Sequence, residues 1–511
     1  MEDQIEKPIY KRTRNLLFFG FVIIYASILI YLCKEINVWE DEVYSLNTTS
    51  KSLSVVINQS YTFEGQPPVY FLLLALWRTI SSGIFFARLF SVIFIALSAY
   101  MIHRIVRLFS DTENAHWMVI IFLLNPFSVW AALEIRTYSL LIFLSTVSLF
   151  FFLQYYLFNK TKHLFYFLLI CLIGLYTQYF FSFVMIALTV PLLVFKGWKC
   201  FLKQCLYFIP LVVLFIPNLF FITKNLEIAQ SATYDYGLAQ RISVVLHTPQ
   251  NFILALQKET FHSAINWGIK IIFVFSILMA LIIIYRKYRK DNVIILKYVS
   301  GLFIIGFVLV LLYSFFNAYT GIWYDDKYMA VAFPFFILFF ALFGFYPIHY
   351  KRLVFGAFSI YFMVLLAFNY FPPVKNYDYK YLAKYISKIE HQNEPVLCYS
   401  DLISLSLDYY YNGENTISPL PEAPSFDENY IKNIADTTGL KNTIEKKYGI
   451  SKSYLFISDD MRKYSQNLNM NREMIDDYLK NKFHITFDTL YFGRSKNLYI
   501  RVRRLENILR N

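Results

Sequence analysis

Apolar stretches recur through the first 370 residues of the chain, separated by short polar turns. A run of about 20 apolar residues can cross a bilayer as a helix, because every interior backbone hydrogen bond is then made within the segment. The pattern predicts about eleven such helices, at 15–33, 86–106, 117–134, 138–158, 163–178, 179–195, 204–222, 265–285, 297–317, 328–346 and 351–370. The stretch from Pro67 to Ile80 is only about fourteen residues and contains Arg78, too short to span comfortably. It is expected to lie in the interface, as is the fragment Leu53 to Ile57.

After Tyr370 the pattern changes. Pro372-Pro373 breaks the helix, and the remaining residues mix charge with short apolar runs. Tyr381, Leu382, Tyr385, Ile386 and Ile389 recur at helical spacing. Val396 to Tyr399 reads as a buried strand, Leu402 to Tyr411 as a helix, and Tyr454 to Ile457 and Leu498 to Val502 as further strands. The predicted architecture is an all-α polytopic membrane domain over 1–370, with interfacial helices in the loop 34–85, followed by a small α/β domain over 371–511.

Composition agrees: the chain is 57% hydrophobic, 20% aromatic and 16% charged, a profile of membrane rather than soluble proteins. The net charge of +13 is not gathered into a basic block with interleaved aromatics. Cytoplasmic loops and anionic lipid account for it, and no nucleic-acid partner is expected. Lys and Arg cluster before the first helix, at Arg104 and Arg107, at Lys160 and Lys162, at Lys196, Lys199 and Lys203, from Arg286 to Lys290, and at Lys351 and Arg352. They fall at every second loop, which places the N-terminus in the cytoplasm and the 371–511 domain outside the cell (inner) membrane. The first apolar run is too long for a signal-peptide core and is expected to be retained as an anchor. Cys33, Cys171, Cys200, Cys205 and Cys398 have neither metal-ligand spacing nor the pattern of a disulfide framework.

On this topology the outward loops carry Glu40, Asp41, Glu42, Glu64, Glu134, Arg136, Asp325, Asp326 and Lys327 near helix ends. Three consecutive carboxylates at the mouth of a membrane domain lose solvation and are kept where something cationic or reactive faces them. A carboxylate there could take a proton from a hydroxyl while Arg136 and Lys327 bind an anionic lipid head. Simpler readings stand beside this one. The acidic triplet could be a solvated loop, Arg136 could snorkel to the interface, Lys327 could pair with Asp325 or Asp326, and Tyr138 and Tyr328 could belong to the aromatic belt.

The order of these motifs narrows the choice. Trp39-Glu40-Asp41-Glu42-Val43-Tyr44-Ser45-Leu46, then Gly65-Gln66-Pro67-Pro68-Val69-Tyr70-Phe71-Leu72-Leu73, Ala87-Arg88-Leu89-Phe90-Ser91 and Glu134-Ile135-Arg136-Thr137-Tyr138-Ser139-Leu140 succeed one another. The succession resembles the membrane glycosyltransferases of family 39, of GT-C fold, which include protein O-mannosyltransferases and bacterial lipid A aminoarabinose transferases. Asp326-Lys327-Tyr328-Met329 with Pro334 is similar to the family's later Arg-Tyr segment.

The resemblance implies a polyprenyl-phosphate-linked sugar as donor, a hydroxyl of a lipid, glycan or protein as acceptor, extracytoplasmic transfer, and inversion at the anomeric carbon. It also implies Asp41 as general base, Glu42 as an orienting or acceptor-contact residue, and Arg136 and Lys327 on the donor phosphate with Tyr138 and Tyr328 beside them. Glu134, Asp326, Gln66 and Gln178 support the site. Gln66 and Gln178 stand where the family commonly has histidine, and Lys327 where it has arginine. A histidine-bearing metal site is therefore not expected and no cofactor is required, although carboxylates alone could hold a divalent cation. The alternative is a transporter, flippase or polysaccharide polymerase whose substrate route these charges would line.

Overall fold

The computed structural model describes the chain except 1–7, 232–236, 256–262, 289–292, 321–323, 376, 400, 421–451, 460–475, 493–498 and 508–511. Of the positions named for charge or strand pattern, Arg289, Lys290 and Leu498 lie outside the described residues. Helix α1 (Pro8–Glu35) is followed by three short helices, α2 (Glu40–Thr48), α3 (Leu53–Thr62) and α4 (Val69–Arg78), in the first long loop. Then come α5 (Ile84–Val106), α6 (Thr112–Leu124), α7 (Pro126–Leu133), α8 (Tyr138–Tyr156), α9 (Lys162–Leu175), α10 (Phe181–Lys196) and α11 (Trp198–Ser231). Helix α12 (Leu238–Leu254) precedes α13 (Ser263–Tyr288) and α14 (Val293–Thr320). The next apolar segment is a 3-10 turn, Asp326–Ala332, then α15 (Phe333–Ile337) and a second 3-10 stretch, Leu338–Phe345, before α16 (Ile348–Tyr370).

Among the described residues, eight helical segments are long and apolar enough to cross a membrane, or nine if the bent pair α6 and α7 is one span. With the shorter apolar helices α9 and α10, these correspond to the eleven segments expected from hydropathy. The chain is an integral membrane protein. Its outer helices present large apolar side chains, such as Phe220 at 71% and Phe315 at 75% exposure, as lipid contact requires. Helix α8 and the segment Asp326–Phe345 are instead buried along most of their length.

Hydropathy merges α6 and α7, but the two helices meet at 59°. Proline lacks an N–H and clashes with the carbonyl of the preceding turn, so Pro126 ends α6 and starts α7 at its first position. Asn125 caps the new helix, its Oδ1 accepting from Phe127 N at 2.9 Å while its Nδ2 donates to Phe252 O at 2.8 Å. This bend delivers the turn 134–137 to the mouth of the bundle. By contrast, α11 continues as one helix with Pro210 and Pro217 inside it.

Close packing also explains Gly174, near the end of α9, where an added Cβ would collide with the Phe181 ring. Gly174→Ala is expected to destabilise the protein by roughly 1–3 kcal/mol, read as a lower thermal midpoint. An unchanged midpoint would show that Phe181 can give way.

The tail contains α17 (Tyr379–Ile389), β1 (Val396–Tyr399), α18 (Asp401–Asp408), β2 (Ile417–Pro419), β3 (Ser453–Asp459), β4 (Phe483–Phe492) and β5 (Tyr499–Asn507). The strands form a mixed sheet of order β2-β1-β3-β5-β4, with β1 parallel to β2 and β3 and β5 antiparallel to β3 and β4. Along β1, Val396 and Cys398 pack with Leu382 and Ile386 of α17, while Leu397 and Tyr399 face the other side with Tyr454 and Phe456. Burial on both faces is why β1 reads as an unbroken apolar run rather than an alternating one.

Candidate functional site

The loops expected to share one face do meet at one end of the bundle: 34–85, the turn after Leu133, the start of the segment Asp326–Phe345, and the tail after Tyr370. At the other end, Arg352 and Arg14 pair with Glu113, and Lys351 pairs with Asp111.

Helix α2 begins with Glu40, Asp41 and Glu42 in its first turn, where the unpaired N–H groups and helix dipole favour negative charge. Their side chains take three different routes. Glu40 accepts a hydrogen bond from the Tyr379 hydroxyl of α17. Asp41 pairs with Lys327, Oδ2 to Nζ at 3.1 Å. Glu42 turns into the protein and meets Arg88 at 2.9 Å and Lys375 at 3.0 Å, with Ile135 N donating to its other oxygen at 3.1 Å.

Arg88 sits in the first turns of α5 and is fully buried. Its Nε and Nη2 reach Glu42 at 3.3 and 2.9 Å, and its remaining contacts are to the carbonyls of Cys33, Ile36 and Asn37 at 3.2, 2.6 and 2.9 Å. One guanidinium thus closes the C-terminal end of α1, whose last carbonyls have no helical partner, and orients the first turn of α2.

Arg136 does not snorkel outward. Its Nη1 donates to Glu64 at 2.6 Å, Ser45 Oγ at 3.0 Å and the Asp41 carbonyl at 3.3 Å. Glu64 also accepts from Thr48 at 3.1 Å, which ties α2 to the end of α3. Glu134 is buried, its carboxylate bound by Lys375 at 3.0 Å and by the Trp39 indole N–H at 2.8 Å. Its carbonyl accepts from Ser91 at 2.6 Å.

Lys327 stands 4.0 Å from Asp325, a longer contact than the one it makes with Asp41. Its ammonium lies 5.2 Å from the centre of the Trp39 ring and 5.8 Å from that of Tyr328, a distance at which an aromatic face attracts a cation. Asp326 turns away to Thr248 at 2.5 Å and Asn251 at 2.7 Å of α12, anchoring the turn that carries Lys327. Tyr138 is buried against Trp130, with ring centres 4.8 Å apart. Gln66 and Gln178 flank the contact between Val69 N and Tyr176 O at 3.1 Å. The side-chain carbonyl oxygen of each is buried without a partner among the described residues.

Accessibility separates these pairs. Asp41 and Lys327 keep 24% and 17% of their side-chain surface exposed, whereas Glu42 and Arg88 keep none. The first pair can meet a substrate. The second cannot.

Burial by itself would push every one of these carboxyls up, because it penalises the charged form. For Asp41 the positive charges of Arg136 and Lys327 outweigh burial and hold it below the usual range. For Glu42 burial is likewise overcome by Arg88 and Lys375, and it too is lowered. Glu134 stays raised, since burial and the neighbouring Glu42 prevail over Lys375. Glu64 is also raised by burial, against Arg136. Among the described residues no group of three or more His, Cys, Asp and Glu is arranged to hold a metal ion.

The sequence reading named Asp41, Glu42, Glu134, Arg136 and Lys327, and the fold brings them into one connected cluster. It did not assign Arg88 or Lys375 any role. Arg88 carried a signal, a charge in the opening turns of an otherwise apolar span. Lys375, just past Pro372-Pro373, carried none.

Fold and cluster define a polytopic membrane protein with a partly open ion pair set in a sealed polar network at one mouth of its helical bundle. Residues 65–221 match the family model described as dolichyl-phosphate-mannose-protein mannosyltransferase. The match bears out the resemblance to membrane glycosyltransferases. It takes in the Gly65, Ala87 and Glu134 motifs, while the Trp39 to Leu46 stretch and Lys327 lie outside it. Among solved structures, the chain is similar to ArnT from Cupriavidus metallidurans in the apo state, at 10% identity and a TM-score of 0.40, covering 95% of this chain and 98% of that one. It is also similar to the same protein bound to undecaprenyl phosphate, again at 10% and 0.40, covering 94% and 98%. Comparison with curated proteins gives no match.

Proposed function

We propose that this protein is an integral-membrane glycosyltransferase that moves a sugar from a polyprenyl-phosphate donor to a hydroxyl of a lipid, glycan or protein acceptor. Transfer takes place on the extracytoplasmic face, with inversion at the anomeric carbon and Asp41 as general base. The observation that carries this reading is the Asp41–Lys327 pair, a carboxylate and an ammonium 3.1 Å apart that stay accessible while their neighbours are sealed. The family match supports a lipid-phosphate donor, because its description names a dolichyl-phosphate-linked sugar.

In this reading the acceptor oxygen attacks the anomeric carbon and gives its proton to the Asp41 carboxylate. The bond from that carbon to the phosphate oxygen breaks, and its electron pair leaves on the polyprenyl phosphate. Lys327 and Arg136 supply positive charge where negative charge develops. A donor phosphate competes with Asp41 for Lys327. As the ammonium turns to the phosphate, Asp41 loses one of the cations that depress its proton affinity and becomes a stronger base. Glu42, enclosed by Arg88 and Lys375, orients Asp41 and does not contact the acceptor.

The test uses membranes carrying the wild-type chain or Asp41→Asn at matched expression, supplied with labelled polyprenyl-phosphate sugars and cell-envelope acceptors. Transfer by the wild type and its loss in the variant support the reading. Equal transfer by both removes Asp41 as base. If no donor is used and labelled lipid instead crosses proteoliposomes, a transporter replaces the transferase.

Since side chains of this protein provide both the base and the phosphate countercharge, EDTA treatment is expected to leave initial rates within about twofold. A larger loss that Mg²⁺ or Mn²⁺ restores would mean that carboxylates of the cluster hold an ion.

A further inference from the structure

Glu42 and Glu134 come from elements far apart in sequence, yet both are buried against the same ammonium group. Two buried carboxylates need two cations, since an uncompensated charge in such a site protonates or disrupts the packing. Arg88 supplies one. The other is Lys375, which belongs to the tail beyond the last membrane helix and not to the bundle.

An ammonium has three N–H donors, and the contacts of Lys375 account for all three: Glu42 and Glu134 at 3.0 Å each and the Leu133 carbonyl at 2.9 Å. Its backbone is held as well, Lys375 N donating to Asn37 Oδ1 at 2.9 Å while Asn37 Nδ2 donates to the carbonyls of Lys375 and Tyr377 at 3.1 and 2.9 Å. Further along the tail, the Tyr410 hydroxyl accepts from Val38 N at 2.7 Å and Lys380 donates to the Glu35 carbonyl at 2.6 Å. The tail therefore grips the residues between α1 and α2 on several sides.

From Lys375 the contacts run on without a gap. Glu134 takes the Trp39 indole N–H, the Trp39 ring lies over the Lys327 ammonium, and Lys327 pairs with Asp41.

We propose that Lys375 is a positioning residue of the transfer site: its charge holds Glu42 and Glu134 in place and, through Trp39, sets Lys327 against Asp41. The inference rests on the transferase reading. It makes the tail part of the catalytic apparatus rather than a cap on it. The groups whose charge or titration bears directly on Asp41 are Glu40, Glu64, Arg136, Tyr138, Lys327, Tyr328 and Lys375, and Glu134 acts on it at one remove, by offsetting the charge of the Lys375 ammonium it binds. The positive charge of Lys375 is among those that favour ionised Asp41.

The test is transfer by the full chain in lipid nanodiscs, measured against pH for wild type, Lys375→Met, Lys375→Arg and Glu134→Gln, with thermal midpoints recorded. Misplacing a reacting group by a fraction of its contact distance costs up to about 100-fold in rate, so Lys375→Met is expected to lower kcat by roughly tenfold to 100-fold. Its acidic limb should move to higher pH, because a positive charge that favours the ionised base is gone. Lys375→Arg keeps the charge and should keep the limb in place, though with a lower rate. Glu134→Gln removes a negative charge from the same network and should move the limb to lower pH.

These opposite shifts would not arise from a packing role. A wild-type rate and profile in Lys375→Met, or a limb that stays fixed in all three variants, would overturn the inference. If Lys375→Met does not fold, Lys375→Arg and Glu134→Gln decide: a limb in Glu134→Gln that stays put or moves upward overturns it. A wild-type chain inactive with every donor would sink the transferase reading itself, whereas an active wild type with an indifferent Lys375 sinks only the inference.

Discussion

Asp41→Asn is expected to lower kcat for sugar transfer by about 100-fold to 10,000-fold, the range over which a positioned general base contributes, with little change in thermal midpoint. Asparagine keeps the shape of the side chain and the start of α2 but cannot accept the acceptor's proton. The pH profile carries a second signature. Arg136 and Lys327 overcome the upward push of burial and lower the Asp41 pKa. The wild-type rate should thus be full through neutral pH and fall only as pH drops through a value below the usual carboxylate range. That limb should vanish in Asp41→Asn. Rates with saturating donor give the loss in kcat, and kcat/KM across pH, which reports the donor-free protein in which Lys327 still faces Asp41, checks the limb; a variant that retains the wild-type limb would mean that another carboxylate takes the proton.

Arg88→Met is expected to have the largest effect on stability. Removing one partner of a buried pair leaves the other as an uncompensated charge, at a cost of about 3–5 kcal/mol. Here the loss includes Glu42 and the carbonyls of Cys33, Ile36 and Asn37. Lysine would not rescue it, since three donors on a single nitrogen cannot reproduce the planar fork. The effect should depend on pH in a defined sense. Glu42 is lowered in the folded protein, against burial, by Arg88 and Lys375. Its contribution is present above the unfolded carboxyl pKa and is lost as pH falls through the folded one. The gap in thermal midpoint between wild type and Arg88→Met should therefore narrow in acid. Equal midpoints at neutral pH would show that Glu42 is content with Lys375 alone.

Several features of this protein are legible without coordinates because they follow from one-dimensional rules. A spanning helix must satisfy its own backbone in lipid, so the apolar runs mark the membrane helices one by one. The short Pro67 to Trp77 run is a ten-residue helix, α4, as its length implied. In the tail, period and turn residues located α17, β1, α18, β3 and β5, but not β2 or β4. Strand β2 has three residues, too few to carry a pattern, whereas β4 alternates Phe483, Ile485, Phe487 and Tyr491 with His484, Thr486 and Asp488, a period-two signal that was there to be read. Pairing with β1 is what defines β2.

The charged cluster divides in the same way. That carboxylates and cations would gather at one mouth of the bundle was readable from loop parity, because charge at a membrane edge must be matched. Which carboxylate meets which cation was not, since Asp41 and Lys327 are separated by most of the membrane portion and Glu42 meets Lys375 only because the tail folds back. Pairing of that kind depends on where helix ends arrive in space, and here that is decided by the bend at Pro126, by the closure of α1 by Arg88, and by the docking of the tail on Asn37. The sequence by itself determined the helices, the tail and the inventory of ionisable groups. Only the tertiary structure decided that Asp41 and Lys327 stay open while Glu42 and Arg88 are sealed, because exposure is a property of packing between distant segments and has no local signature.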